Sequence, residues 1–137
     1  MMRRRMLLGL LVASPLAWAG DGSWSSQSFG GMMTRGQQVL KSQPVQPASS
    51  PPAGAIAKQL AWKITPDGAT PMGFMIKVCG GNRCLPLSGL SGEMVLPVNF
   101  PAGGPLRFEY YSSVRGALSP PLTILSNQVT VEYRLRK

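Results

Sequence analysis

The chain has 137 residues, with 14 lysines and arginines against five acids, two cysteines and no histidine, for a formal charge of +9. The lack of histidine excludes Ser-His and Cys-His nucleophile systems and removes the commonest general base at neutral pH. Two cysteines without an imidazole also fall short of the four sulfur or nitrogen ligands of a closed structural zinc site.

Met1 to Gly20, MMRRRMLLGLLVASPLAWAG, reads as a secretory signal: Arg3, Arg4 and Arg5, a short apolar core from Met6 to Ala13, then small residues at Ala17 and Ala19. The competing reading is a membrane anchor, but the apolar run is far short of the ~20 residues that span a bilayer. Residues 1–19 are expected to be cleaved, leaving about 118 residues, one domain in size, with a charge of about +6. No later segment is long and apolar enough to cross a membrane, so the mature chain is expected to lack a transmembrane segment. An exported basic domain meets anionic lipid headgroups, acidic glycans or acidic proteins, unless the charge is simply a solvated surface. Nucleic acid is not expected as a partner, because no basic helix or aromatic stacking platform is visible.

Residues 20–41 are polar and glycine-rich, with one candidate strand at Ser23 to Phe29 and a candidate helical turn at Gln37 to Leu40. Residues 42–54 carry Pro44, Pro47, Pro51 and Pro52 and read as an extended connection, either a loop crossing one end of the fold or a tether. The body, residues 55–137, has period two throughout, and residues 20–137 are expected to form one domain.

Ile56, Leu60, Trp62 and Ile64 define one face of the first body strand, with Lys58 breaking the pattern, and Thr65-Pro66-Asp67-Gly68 turns the chain. Phe74, Ile76 and Val78 alternate before Cys79, and Leu85 and Leu87 after Cys84, with Gly80-Gly81-Asn82-Arg83 between the cysteines. That pattern predicts a β-hairpin of two core strands. After a turn at Ser88 to Gly92, Met94, Leu96, Val98 and Phe100 alternate in a strand that Pro97 assigns to a sheet edge. Leu106, Phe108 and Tyr110 face one way and Arg107, Glu109 and Tyr111 the other. Ser119-Pro120-Pro121 interrupts before Leu122 and Ile124, and the last strand alternates Val129, Val131, Tyr133 and Leu135 with polar residues. Seven or eight short strands of this kind predict an all-β, antiparallel β-sandwich, with a small closed barrel as the alternative.

Chemistry finds little to stand on. Four residues separate Cys79 and Cys84, two too many for a thioredoxin-type pair, so a structural disulfide is the reading for an oxidising compartment. Gly89-Leu90-Ser91-Gly92 lacks the spacing of a nucleophile elbow, and no serine stands three residues before a lysine. A two-carboxylate site would draw on Asp21, Asp67, Glu93, Glu109 and Glu132, which read as turn and surface acids. No enzyme, cofactor or metal is expected. Trp24, Trp62 and the Tyr110-Tyr111 pair are candidates for a sugar site, with Trp62 better read as core. Arg107, Arg115, Arg134, Arg136 and Lys137 cluster toward the C-terminus and suit an anionic membrane surface if they share a face.

Several segments, taken together, resemble the FlhE family, periplasmic proteins encoded with the flagellar type III export gate. They are Gly22-Ser23-Trp24 soon after the signal peptide, Ala61-Trp62, the Cys79-x4-Cys84 hairpin, Pro105-Leu106-Arg107-Phe108, and Ser126 to Arg134, SNQVTVEYR. They recur in the family's order along most of the mature chain, while residues 42–54 and the tail beyond Arg134 depart from its pattern. The resemblance implies a periplasmic β-sandwich without catalysis, beside the flagellar export apparatus. Its partners would be components of the export gate, rod or hook, and its role to limit proton leakage or to chaperone exported components. A stand-alone periplasmic module binding cell-wall glycan or anionic lipid is the alternative. Candidate contact residues are Arg107, Arg115, Gln128, Thr130, Glu132 and Arg134, with Gln128 to Arg134 offering a strand edge if it lies at one.

Overall fold

A computed structural model describes residues 21–135. The signal-peptide reading and the charges of Arg136 and Lys137 lie outside the described residues. Nine strands are described: β1 (Asp21–Ser28), β2 (Gly31–Arg35), β3 (Leu40–Lys41), β4 (Ala55–Pro66), β5 (Met75–Gly80), β6 (Arg83–Leu87), β7 (Ser91–Val95), β8 (Leu106–Tyr111) and β9 (Ala117–Leu135). All pair antiparallel, in two separate sheets, which makes the fold a sandwich. The five-stranded sheet runs β1-β9-β4-β7, with β2 also beside β9, and the four-stranded sheet runs β3-β8-β5-β6.

The period-two pattern builds the core directly. Leu60, Trp62 and Ile64 of β4 and Ile124, Val129 and Val131 of β9 turn inward from one sheet. Ile76 and Val78 of β5 and Leu106, Phe108 and Tyr110 of β8 meet them from the other. Each such side chain, fully buried, contributes about 1.5–3 kcal/mol of transfer free energy. Trp62 is core, its indole N–H donating to the Gly89 carbonyl at 2.9 Å.

Departures from the sequence reading have local causes. β4 carries a β-bulge: Glu132 pairs with Gln59 but Tyr133 with Ala57, leaving Lys58 as the extra residue. Beyond it the faces exchange, so Ala57 is buried and Ile56 is half-exposed on the outside. Residues 21–41 hold three strands rather than one. No helical turn forms at Gln37 to Leu40, because the Gln37 amide donates to the distant Ser112 carbonyl at 2.7 Å. The strand before Phe100 ends at Val95, ahead of Pro97. Leu96 and Phe100 are buried from a loop and Val98 is exposed. The edge position inferred from Pro97 holds for β7.

Pro120 and Pro121 do not break β9. They sit exposed in a gap of the β2–β9 ladder between Ala117 and Leu122, where a proline forfeits no pairing. In the proline-rich segment Val45 is fully buried and exchanges two backbone hydrogen bonds with Leu106, at 2.7 and 2.8 Å.

The β5–β6 hairpin pairs Cys79 with Cys84 and Gly80 with Arg83, and Gly81 at the tip takes a φ of 59° that favours glycine. Cys79 and Cys84 are joined in a disulfide, with Cα atoms 4.0 Å apart. Only β5 is interior; β6 is a sheet edge, which accommodates Pro86. Closing so short a loop stabilises by about 2 kcal/mol in the chain-entropy model. The Cys79→Ser/Cys84→Ser double variant is therefore expected to unfold at lower urea with an unchanged m-value, and mass spectrometry of the unreduced wild type is expected to show one intramolecular bond.

Candidate interaction surfaces

The outer face of the four-stranded sheet is built from the residues that alternate with the core. Strand register sets Lys41, Glu109 and Lys77 in a row across β3, β8 and β5, and Arg107 beside Cys79 in the next row. Three cations surround one acid. The outer face of the five-stranded sheet is serine- and glutamine-rich instead and carries Asp21, Glu93 and Glu132 against Lys63 and Arg134. There Ser25 and Thr130 hydroxyls meet at 2.6 Å, and Arg134 pairs with Asp21 at 3.4 Å with both side chains more than half exposed. So exposed an ion pair adds little stability.

The predicted contact residues do not form one site. Arg107 lies on the four-stranded face, Gln128, Thr130, Glu132 and Arg134 lie on the opposite outer face, and Arg115 lies in the β8–β9 connection. Arg107 and Arg134 therefore lie on opposite faces, and Lys41 and Lys77 are the cations that accompany Arg107. Nor is Gln128 to Arg134 an edge: β1 pairs along one side of it and β4 along the other, so no backbone is left for an added strand. That route is closed.

At the β3 end of the four-stranded face, Val39, Met75 and Tyr111 line a cleft of about 250 Å³ with Lys77 and Glu109. Val39, Met75 and neighbouring Met72 are large apolar side chains left more than half exposed. The Met72 loop is tied to the end of β8, its carbonyl accepting from the Ser112 hydroxyl at 2.8 Å. Sequence reading missed this surface. Lys77 and Met75 could have been marked as outward by their alternation with Ile76 and Val78, but Val39 joins them only through the β3–β8 pairing.

Tyr110 and Tyr111, candidates for one sugar site, are separated by the same alternation. Tyr111 faces out and Tyr110 is fully buried. Burial pushes the Tyr110 phenol above its ordinary pKa, and the hydroxyl donates to Asn127 Oδ1 at 2.6 Å. Asn127 in turn donates to the Ser28 carbonyl at 3.1 Å and the Ser28 hydroxyl at 2.6 Å. The three residues join β8 of one sheet to β9 and β1 of the other. The cysteine sulfurs and the Glu109 carboxylate lie within 4.8 Å of one another, but with both sulfurs in a disulfide there is no thiolate to hold a metal. Among the described residues no helix is long and apolar enough to cross a membrane.

Comparison with known proteins matches residues 30–134 to the family model described as flagellar protein FlhE. The chain is 34% identical to the flagellar protein FlhE of Escherichia coli (strain K12), over 95% of this chain and 99% of that one. It is 32% identical to the flagellar protein FlhE of Salmonella typhimurium, over 96% of this chain and 99% of that one. A solved crystal structure of FLHE superposes with a TM-score of 0.75 at 33% identity, covering 85% of this chain and 99% of that chain.

Proposed function

The chain belongs to the flagellar protein FlhE family, and on that premise we propose that it is a non-enzymatic accessory protein of flagellar assembly. It is exported to the periplasm after removal of residues 1–19. There it acts beside the type III export apparatus on a component of the export gate, rod or hook, and so limits proton leakage or chaperones exported components. Family membership carries the reading, and the cleft of Val39, Met75 and Tyr111, together with the exposed Met72 in the loop before β5, supports it. Exposed methionines are flexible and polarisable, which suits contact with protein segments of varied sequence. Lys41, Lys77 and Arg107 on the same face, against Glu109, leave a net positive charge that attracts acidic segments.

The test is a deletion strain complemented with wild type or with the Met72→Glu/Met75→Glu double variant. Both side chains are exposed, so the variant is expected to fold normally. The deletion is expected to alter swimming or cytoplasmic pH, and the double variant to fail where the wild type restores it. A pH defect without a motility defect would favour the leakage role, and the converse the chaperone role. Normal swimming together with normal pH in the deletion strain would overturn the proposal.

A further inference from the structure

β1 runs along the free edge of the five-stranded sheet and lines a groove that shares no residue with the Val39–Met75–Tyr111 cleft. Trp24 points inward from this strand, and its indole N–H donates to the Ala102 carbonyl in the β7–β8 connection at 2.8 Å. That bond fixes the plane of the ring. Two residues back, Gly22 stands opposite Tyr133 of β9. A Cβ at Gly22 would lie 2.5 Å from the Tyr133 phenol oxygen, so the missing side chain is what lets the Tyr133 ring lie across β1 to the sheet edge. The proline-rich segment supplies the facing wall. Ser23, Trp24, Tyr133, Pro47, Ser50 and Pro51 together border a groove of about 230 Å³.

No residue lining this groove is charged, whereas both outer faces of the sandwich carry charges. Its surface combines two aromatic rings held near each other, proline rings and several hydroxyls. An aromatic ring offers a flat apolar platform whose electron-rich face attracts the weakly positive C–H groups of a sugar ring, and hydroxyl walls exchange hydrogen bonds with the sugar's own. An ionic headgroup would find no counter-charge here, and a purely apolar ligand would leave the hydroxyls without partners. We propose that the Trp24–Tyr133 groove binds an uncharged pyranose chain, with Tyr133 as the stacking platform and Ser49 and Ser50 as the hydrogen-bonding wall. The site lies apart from the methionine surface, so failure of the flagellar reading leaves it standing, and the reverse also holds.

Nuclear magnetic resonance on the ¹⁵N-labelled mature chain tests this with two probes, chitotriose and cellotriose. Trp62 is the internal control, since its indole is buried and bonded to Gly89. The expected result is a saturable shift of the Trp24 indole resonance with that of Trp62 unmoved. A stronger response to chitotriose would assign acetamido sugars such as those of the cell wall, and an equal response a broader saccharide preference. Tyr133→Ala is expected to weaken binding about tenfold through lost stacking, and Tyr133→Phe to retain most of it. Ser50→Trp, at an exposed loop position that does not threaten folding, is expected to block the groove and abolish the shift. The proposal is overturned if neither sugar moves the Trp24 resonance at millimolar concentration, if Trp24 and Trp62 move together, or if Ser50→Trp binds as well as the wild type.

Discussion

Replacing Asn127 with leucine is expected to lower the unfolding free energy by about 3 kcal/mol, roughly the cost of orphaning a buried tyrosine hydroxyl and a serine at once. Leucine has as many side-chain heavy atoms as asparagine and is no smaller, so little of the loss comes from a cavity. The Tyr110 hydroxyl loses its acceptor in a fully buried position and the Ser28 carbonyl loses a donor. Because burial holds the phenol neutral, the penalty does not relax by ionisation. For a domain of this size the melting temperature is expected to fall by about 10 °C or more. The informative control is the double variant Asn127→Leu/Tyr110→Phe. Removing both partners of a buried hydrogen bond is far less costly than removing one, so the double variant is expected to recover much of the loss. Calorimetry on the two variants and the wild type would decide it, and equal melting temperatures for wild type and Asn127→Leu would show that the network contributes nothing.

Gly36→Ala is expected to cost about as much, on the order of 2–4 kcal/mol, through the backbone alone. A Cβ at Gly36 would fall onto the carbonyl oxygen of Val114. Neither atom is the end of a flexible side chain, so one of the two chain segments has to move. Moving it strains the hydrogen bonds that lock them together, Gly36 N–H to Gly116 at 2.9 Å and Gln37 N–H to Ser112 at 2.7 Å. Gly89→Ala serves as the comparison. Nothing lies within 4 Å of its added Cβ, and the substitution is expected to be neutral or slightly stabilising. Urea midpoints for the two variants should diverge in opposite directions or with only Gly36→Ala shifted.

Features carried by neighbouring residues were readable from the chain itself. The Cys79–Cys84 hairpin declares itself through alternating apolar residues on both sides of a glycine turn, and the inward row of β9 through Val129 and Val131. Period two tells which face a residue occupies. It does not tell which strand lies beside it, and for that reason Gln128 to Arg134 could be taken for an edge when it is the centre of its sheet. The β4 bulge was visible only as a flaw at Lys58, because an extra residue and a misplaced polar residue look alike until the partner strand is known. β1 was under-marked for a different reason: of its inward positions Gly22, Trp24, Ser26 and Ser28, only one is a large apolar residue. The same scarcity hides the groove: sequence reading sets Trp24 beside Trp62 and the Tyr110-Tyr111 pair, whereas its neighbour Tyr133 stands more than a hundred positions away in sequence.

The pairing of β1 with β9 also bears on how the molecule is made. Its register runs from Asp21 opposite Arg134 to Ser28 opposite Asn127, joining the earliest described strand to the latest. Any chain delivered N-terminus first, from a ribosome or through a narrow pore, releases β1 long before its partner exists. The four-stranded sheet needs nothing beyond Tyr111 and can pair earlier, while the five-stranded sheet waits for the 19 residues of β9. Contacts this distant in sequence are slow to form. Until β9 has been delivered β1 lacks the strand it pairs with, so the larger sheet can be completed only after the smaller one is able to form.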